Sequence, residues 1–177
     1  MSRVGRDSEP LRSGAVDLET GVVRPDTGPE LMTQVLFRDR FVGVVRSGHP
    51  LAAKRVTEAR YAGARHVEVA QHVPATGLGP IDAALAERGL ERSVEAVVGG
   101  FASALALARG SDLMASVPER HTGALRAGMH TFRLPFPVPE VVVSLLWHPR
   151  LDADPAQRWL RRCVREAAAA VLGPAEG

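Results

Sequence analysis

Two apolar segments far apart in the chain, Leu36–Val45 running into His49-Pro50-Leu51-Ala52, and Val141–His148, read as the two halves of one hinge. The first leaves a lobe and the second returns to it. Between them the pattern alternates regularly. Thr57 caps a short helix, Arg65–Val69 is a strand, and Pro80 opens a helix whose apolar face is Ile81, Ala84 and Leu85 and whose stop is Gly89. Val94, Ala96 and Val98 alternate as a strand, and Phe101, Leu105 and Ala108 form the face of a helix ended by Gly110. A strand over Asp112–Val117, a weak helix to Ala127 and a strand over Met129–Leu134 complete the series. This alternation predicts an α/β fold with a largely parallel sheet. Two lobes joined by two crossover strands is the geometry of proteins that close on a small molecule.

The flanks are simpler. Residues up to Gly14 read as a tail or the stub of a helix. Val16-Asp17-Leu18 is a short strand stopping at Gly21, a loop with Pro25, Asp26, Gly28 and Pro29 follows, and strands run over Leu31–Phe37 and Phe41–Arg46. The last helix is capped by Asp154, carries Pro155 in its first turn and ends at Gly173-Pro174. Its spacing puts Trp159, Leu160, Cys163, Val164, Ala167 and Val171 on one face, and Arg158, Arg161, Arg162 and Arg165 on a solvated one. The expected division is a tail or helix stub over 1–13, a first lobe made of 14–45 and 145–172, a second lobe over 46–144, and a tail over 173–177.

Composition narrows the function classes. Hydrophobic residues at 45% and charged residues at 24% describe a globular chain. The net charge of +2 is slight, and the basic residues are arginines scattered among acids, with Lys54 the only lysine. Direct DNA binding is therefore not expected of this chain alone. Cys163 is the only cysteine, which excludes an internal disulfide and a cysteine metal cage. Residues 1–10 lack the apolar core of a secretory signal, and no apolar run approaches the ~20 residues of a spanning helix. The expectation is a cytoplasmic protein without a membrane partner.

Catalytic motifs are missing: the sequence contains no Gly-x-Ser-x-Gly elbow, no phosphate loop ending in Gly-Lys-Ser/Thr, no Gly-x-Gly-x-x-Gly and no His-Glu-x-x-His. His66 and His72 stand six apart, a poor metal spacing, and His49 before Pro50 reads as a cap. Cys163, on an apolar helix face, reads as packing. No catalytic residue, metal or cofactor is expected. What remains is binding geometry at strand-to-helix turns, where backbone N–H groups and the positive end of a helix dipole face outward. One such turn holds Thr76 and Gly77 before Pro80; the other holds Gly99 and Gly100 before Phe101, Ala102 and Ser103. Glycine admits a ligand close to the backbone, and Thr76 and Ser103 add hydroxyls. Taken singly, each glycine is equally explained by a tight turn.

In order, Gly14-Ala15-Val16-Asp17-Leu18, Leu36-Phe37-Arg38-Asp39, His49-Pro50-Leu51-Ala52, His66-Val67-Glu68-Val69, Gly89-Leu90-Glu91-Arg92, Asp112–Pro118, and Trp147-His148-Pro149-Arg150 with Asp154-Pro155 and Arg158-Trp159-Leu160-Arg161 resemble the effector-binding domain of LysR-type transcriptional regulators. The resemblance covers about Leu11 to Ala168. It implies the type II periplasmic-binding-protein fold, two α/β lobes around a cleft for a small, anionic organic effector, with the crossovers near Val44 and Leu146. It further implies a first lobe that is truncated, because family members carry a winged helix-turn-helix, a linker helix and further strand–helix units before the matched segment. Glu19 stands where the family has a small or apolar strand residue. Carried over by position, Gly21 and Val22 end the first-lobe strand at the cleft, Phe37 lies near the hinge, and Gly100 with Phe101 opens the second-lobe helix. The ligand-binding set is then Gly21, Val22, Phe37, Thr76, Gly99, Gly100, Phe101 and Ser103. The implied partners are a small-molecule effector and either further copies of the chain or a full-length regulator. A stand-alone solute- or partner-binding protein is the alternative.

Overall fold

A computed structural model describes residues 9–23, 27–70 and 78–172. In chain order its elements are α1 (Glu9–Ser13), β1 (Glu19–Val22), β2 (Met32–Asp39), β3 (Phe41–Arg46), α2 (Glu58–Ala62), β4 (Arg65–Val69), α3 (Pro80–Ala86), β5 (Ser93–Val98), α4 (Phe101–Gly110), β6 (Leu113–Pro118), β7 (Met129–Arg133), β8 (Val141–Trp147) and α5 (Pro155–Leu172). They form two units, residues 1–39 with 141–177, and residues 40–140. The chain passes between the units at Asp39/Arg40 and at Glu140/Val141, whereas the sequence reading placed the divisions after residue 45 and before residue 145. The difference is the pairing of two strands. Phe41–Val45 is buried along its whole length and lies inside the second unit's sheet, and Val141–Trp147 is the middle strand of the first.

The first unit is a three-stranded antiparallel sheet in the order β1-β8-β2. Alternation along β8 sends Leu145 and Trp147 to one face, where they meet Leu36, Phe37, Val164 and Ala168. Leu146 goes to the other face, with Leu11 and Leu31. Fully burying a side chain such as Leu145 stabilises by about 1.5–3 kcal/mol. β1 is displaced from the expected 16–18 to Glu19–Val22, because pairing with β8 sets it and Leu18 instead packs on the core from the preceding loop. Glu19 sits half-exposed on this edge strand.

α1 is fixed from a distance: the Arg150 guanidinium donates to the Leu11 and Arg12 carbonyls, each at 2.7 Å, satisfying the end of the helix before Gly14 turns the chain at φ +82°. The two His-Pro pairs have matching local roles. His49 Nδ1 accepts from Leu51 N–H at 3.0 Å and His148 Nδ1 from Arg150 N–H at 3.2 Å, each capping a 3-10 turn that follows a strand.

The second unit is a five-stranded sheet in the order β5-β4-β6-β3-β7. β4 runs parallel to β5 and β6, while β3 is antiparallel to β6 and β7. The sheet is thus mixed rather than largely parallel. The helices α3 and α4 supply the long crossovers that parallel pairing needs. Between β6 and β7 there is only a 3-10 turn, Ala124–Arg126, in place of the expected weak helix. Arg126 pins that turn by donating to Thr122 Oγ1, Thr131 Oγ1 and the Glu119 carbonyl. α4 covers one face of the sheet through Ala104, Leu105 and Ala108, packed on Val42, Val44, Val67, Val69, Ala115 and Val117. On β3, a Cβ at Gly43 would lie 2.4 Å from the Phe132 ring, so only glycine lets that ring lie across the strand.

Candidate functional site

The second unit's strand-to-helix turn is built from the end of β5, Gly99-Gly100, and the first turn of α4. Gly100 is the N-cap, extended at φ −171° and ψ 166°, and it offers no side-chain cap to the helix. Its carbonyl accepts the first helical bond, from Ala104 N–H at 3.1 Å. Extended backbone suits any residue, so the turn itself does not demand glycine. A Cβ built at Gly99 or at Gly100 meets nothing within 4 Å, so both positions border open space. Ser103 is exposed, and Phe101 is half-buried with its ring edge-on to His121 at 5.7 Å. A ten-residue helix presents roughly half a positive charge at this end, enough to favour a carboxylate by about 0.3–1 kcal/mol.

The face of the sheet opposite α4 holds a buried polar network. Arg92, with its side chain 1% exposed, donates to Glu68 and, at 2.5 and 2.9 Å, to Asp82. Burial opposes its charge, and the hydrogen bonds to Asp82 together with the Glu68 charge outweigh that and raise its pKa. Arg92 Nη1 is buried without a partner, and the side chain borders a cavity of about 10 Å3 shared with Glu68 and Pro80, about the room one water needs. Beside this network Tyr61 Oη and Ser116 Oγ lie 2.7 Å apart, and burial pushes the Tyr61 hydroxyl up to about 12. His66 Nε2 donates to the Tyr61 carbonyl at 3.0 Å. Burial, helped by the Arg92 charge, pushes His66 down to about 4, which keeps the ring neutral. Among the described residues no group of three His, Cys, Asp or Glu side chains could hold a metal, and no helix is long and apolar enough to cross a membrane.

A fold of two such units, with an open glycine turn leading into a helix, has close counterparts. The LysR substrate binding domain family matches residues 4–169. The chain belongs to that family. It is 32% identical to the transcriptional activator NagR of a Ralstonia species over 92% of this chain and 54% of that protein, and 32% identical to the transcriptional regulator SyrM of Rhizobium meliloti over 91% and 52%. Among solved structures it is similar to a probable transcriptional regulator from Pseudomonas aeruginosa, PA0477, with a TM-score of 0.73 and 29% identity over 92% of this chain and 52% of that one. The effector binding domain of QuiR, solved with shikimate, shares the fold at a TM-score of 0.72 and 16% identity, over 92% of this chain and 76% of that one. The LysR domain here thus spans about half the length of the curated relatives it matches.

Within this LysR domain the sequence-derived site residues divide by unit. Gly99, Gly100, Phe101 and Ser103 come together at the β5–α4 turn of the second unit. Gly21 and Val22 lie on β1 of the first, opposite Ser144 and Val143. Phe37 belongs to the first unit's core, 6% exposed among Leu36, Leu145 and Trp147. Thr76 lies outside the described residues. The reading missed Arg92, Tyr61 and Ser116 and gave His66 no structural role. One signal was available: Glu68 interrupts a valine-rich strand at a position whose neighbours are buried, and a carboxylate there requires a cation.

Proposed function

We propose that this chain is the effector-sensing part of a cytoplasmic LysR-type transcriptional regulator, and that its ligand is a small organic anion. Membership of the LysR substrate-binding family carries the reading. A domain of the same fold, the effector binding domain of QuiR, was solved with shikimate, a carboxylate, which supports the reading of the ligand. The β5–α4 turn of the second unit is the proposed place of binding. The effector carboxylate meets the first turn of α4, Gly100 leaves its approach open, and Ser103 adds a hydroxyl. Regulation works through assembly with further copies of the chain or with a full-length regulator.

The test is a thermal-shift screen of aromatic and alicyclic carboxylic acids against the chain and against Gly100→Glu. A ligand at a hundred times its Kd stabilises the fold by about 2.7 kcal/mol. At least one acid is expected to raise Tm in the parent and to lose most of that shift in the variant, whose side chain fills the approach and repels the anion. A hit that shifts both proteins equally places the ligand elsewhere, and a panel with no hit removes the organic-anion assignment.

A further inference from the structure

A cavity lies on the far side of the same unit from the glycine turn. Of about 630 Å3, it is bordered by the segment Ala52–Glu58 and by β7 with its extension to Pro135. That volume falls within the usual range for small-molecule sites. Three cations border it: Lys54, Arg55 and Arg133. All three residues are exposed; among the described residues Lys54 and Arg55 have no carboxylate within ion-pair distance, and Arg133 interacts with Glu119 only through its charge. This sets them apart from Arg40, Arg46, Arg65, Arg88 and Arg92 of the same unit, each held by a carboxylate. The one acid bordering the cavity, Glu58, is engaged by Arg88 at 3.2 Å. The half-buried rings of His130 and Phe132, stacked with centroids 6.2 Å apart, also border it, with Val56 and Leu134.

Lys54, Arg55 and Arg133 give the border of the cavity a local excess of positive charge, which a bound polyanion would offset. Charge-assisted hydrogen bonds to Arg and Lys recognise phosphate or carboxylate oxygens, and a ring pair offers a stacking surface. We propose that this cavity binds a small polyanion that carries an aromatic ring, the chemistry shared by a nucleotide and by an aromatic polycarboxylate. It is not the site at α4: β7 and β5 are opposite edges of the sheet, and four strand spacings put them about 19 Å apart.

Two probes separate the sources of that chemistry, ADP for phosphate and benzene-1,2,4-tricarboxylate for carboxylate, with uncharged adenosine as control. Binding is measured by calorimetry on the full chain at about 0.1 M salt, where screening removes weak long-range attraction. At least one of the two polyanions is expected to bind with a Kd below about 1 mM, and adenosine is not. Lys54→Glu with Arg133→Glu, both on exposed side chains, is expected to weaken the polyanion at least about tenfold. Arg162→Glu with Arg165→Glu on α5 changes net charge by the same amount and is expected to leave the affinity within about twofold. Because Lys54 is the only lysine, its acetylation, read by mass spectrometry, is expected to slow when the polyanion is bound. The proposal is overturned if neither polyanion binds, if adenosine binds as well as ADP, or if the two double variants lose affinity equally, the last showing an effect of net charge alone.

Discussion

His66 shows how one buried side chain couples this fold to pH. In the unfolded chain the ring titrates near 6.5, and in the folded state burial and the Arg92 charge bring it down to about 4. A lowered value for a base means that the unfolded state binds the extra proton between those limits. The stabilisation is therefore complete above about 6.5 and is lost as pH falls towards 4. The gap corresponds to about 3 kcal/mol. The carboxylates Glu30, Asp112 and Glu119, lowered by backbone or arginine hydrogen bonds, act in a separate window. Their stabilisation is present above their ordinary values near 4 and is lost below them. Urea midpoints for the parent chain are expected to fall between pH 6.5 and 4.5, whereas those of His66→Phe, though lower throughout because the Tyr61 carbonyl loses its donor, stay flat across that interval. A variant as pH-dependent as the parent there would assign the slope to another group.

At the scale of elements, α5 shows where periodicity reads correctly and where it misleads. Its Pro155 start and its inward Val164 are legible from spacing and capping, while the expected stop at Gly173-Pro174 lies outside the described residues. The inward stripe, however, runs through half-buried Leu160, Val164 and Ala168 and buried Arg161, while Trp159 and Val171 stand 58% and 81% exposed. A hydrophobic pattern counts arginine as polar. Here the Arg161 guanidinium lies 4.6 Å over the Trp147 ring and donates to the carbonyls of Leu151 and Asp152 at 3.2 and 2.9 Å, while Trp147 Nε1 donates to Asp152. Only the tertiary partner reveals that role. The consequence is an inversion of the usual ranking of substitutions. Arg161→Ala is expected to cost about 2 kcal/mol through its lost carbonyl bonds and ring contact, and Trp159→Ala no more than about 0.5 kcal/mol. Urea unfolding with unchanged m-values checks both, and a larger loss for Trp159→Ala would mean that the tryptophan covers apolar surface in solution.

For the molecule as a whole, local signals carried most of the α/β order. The Thr57 cap, Pro80, Gly89 and Gly110 each mark a real boundary, since capping and backbone conformation are decided within a few residues. Strand direction in the second sheet and the Arg92 network were hidden because they depend on pairings across long stretches of chain. The glycines at 99 and 100 were visible, although their open surroundings were not. The same long-range pairing governs the electrostatics. A sequence pI near 9.3 suggests affinity for polyanionic DNA, but a phosphate must displace the carboxylate that already holds Arg12, Arg40, Arg46, Arg65, Arg88 or Arg92. Counterion release rewards only cations that are available to neutralise phosphates. This chain is therefore expected to bind duplex DNA weakly and without sequence preference at about 0.15 M salt. Fluorescence anisotropy on a promoter fragment and on a scrambled duplex of equal length should give the same shallow titration. A clear preference for the promoter fragment would show that a base-reading surface exists on this chain and would overturn its assignment as the sensing part alone.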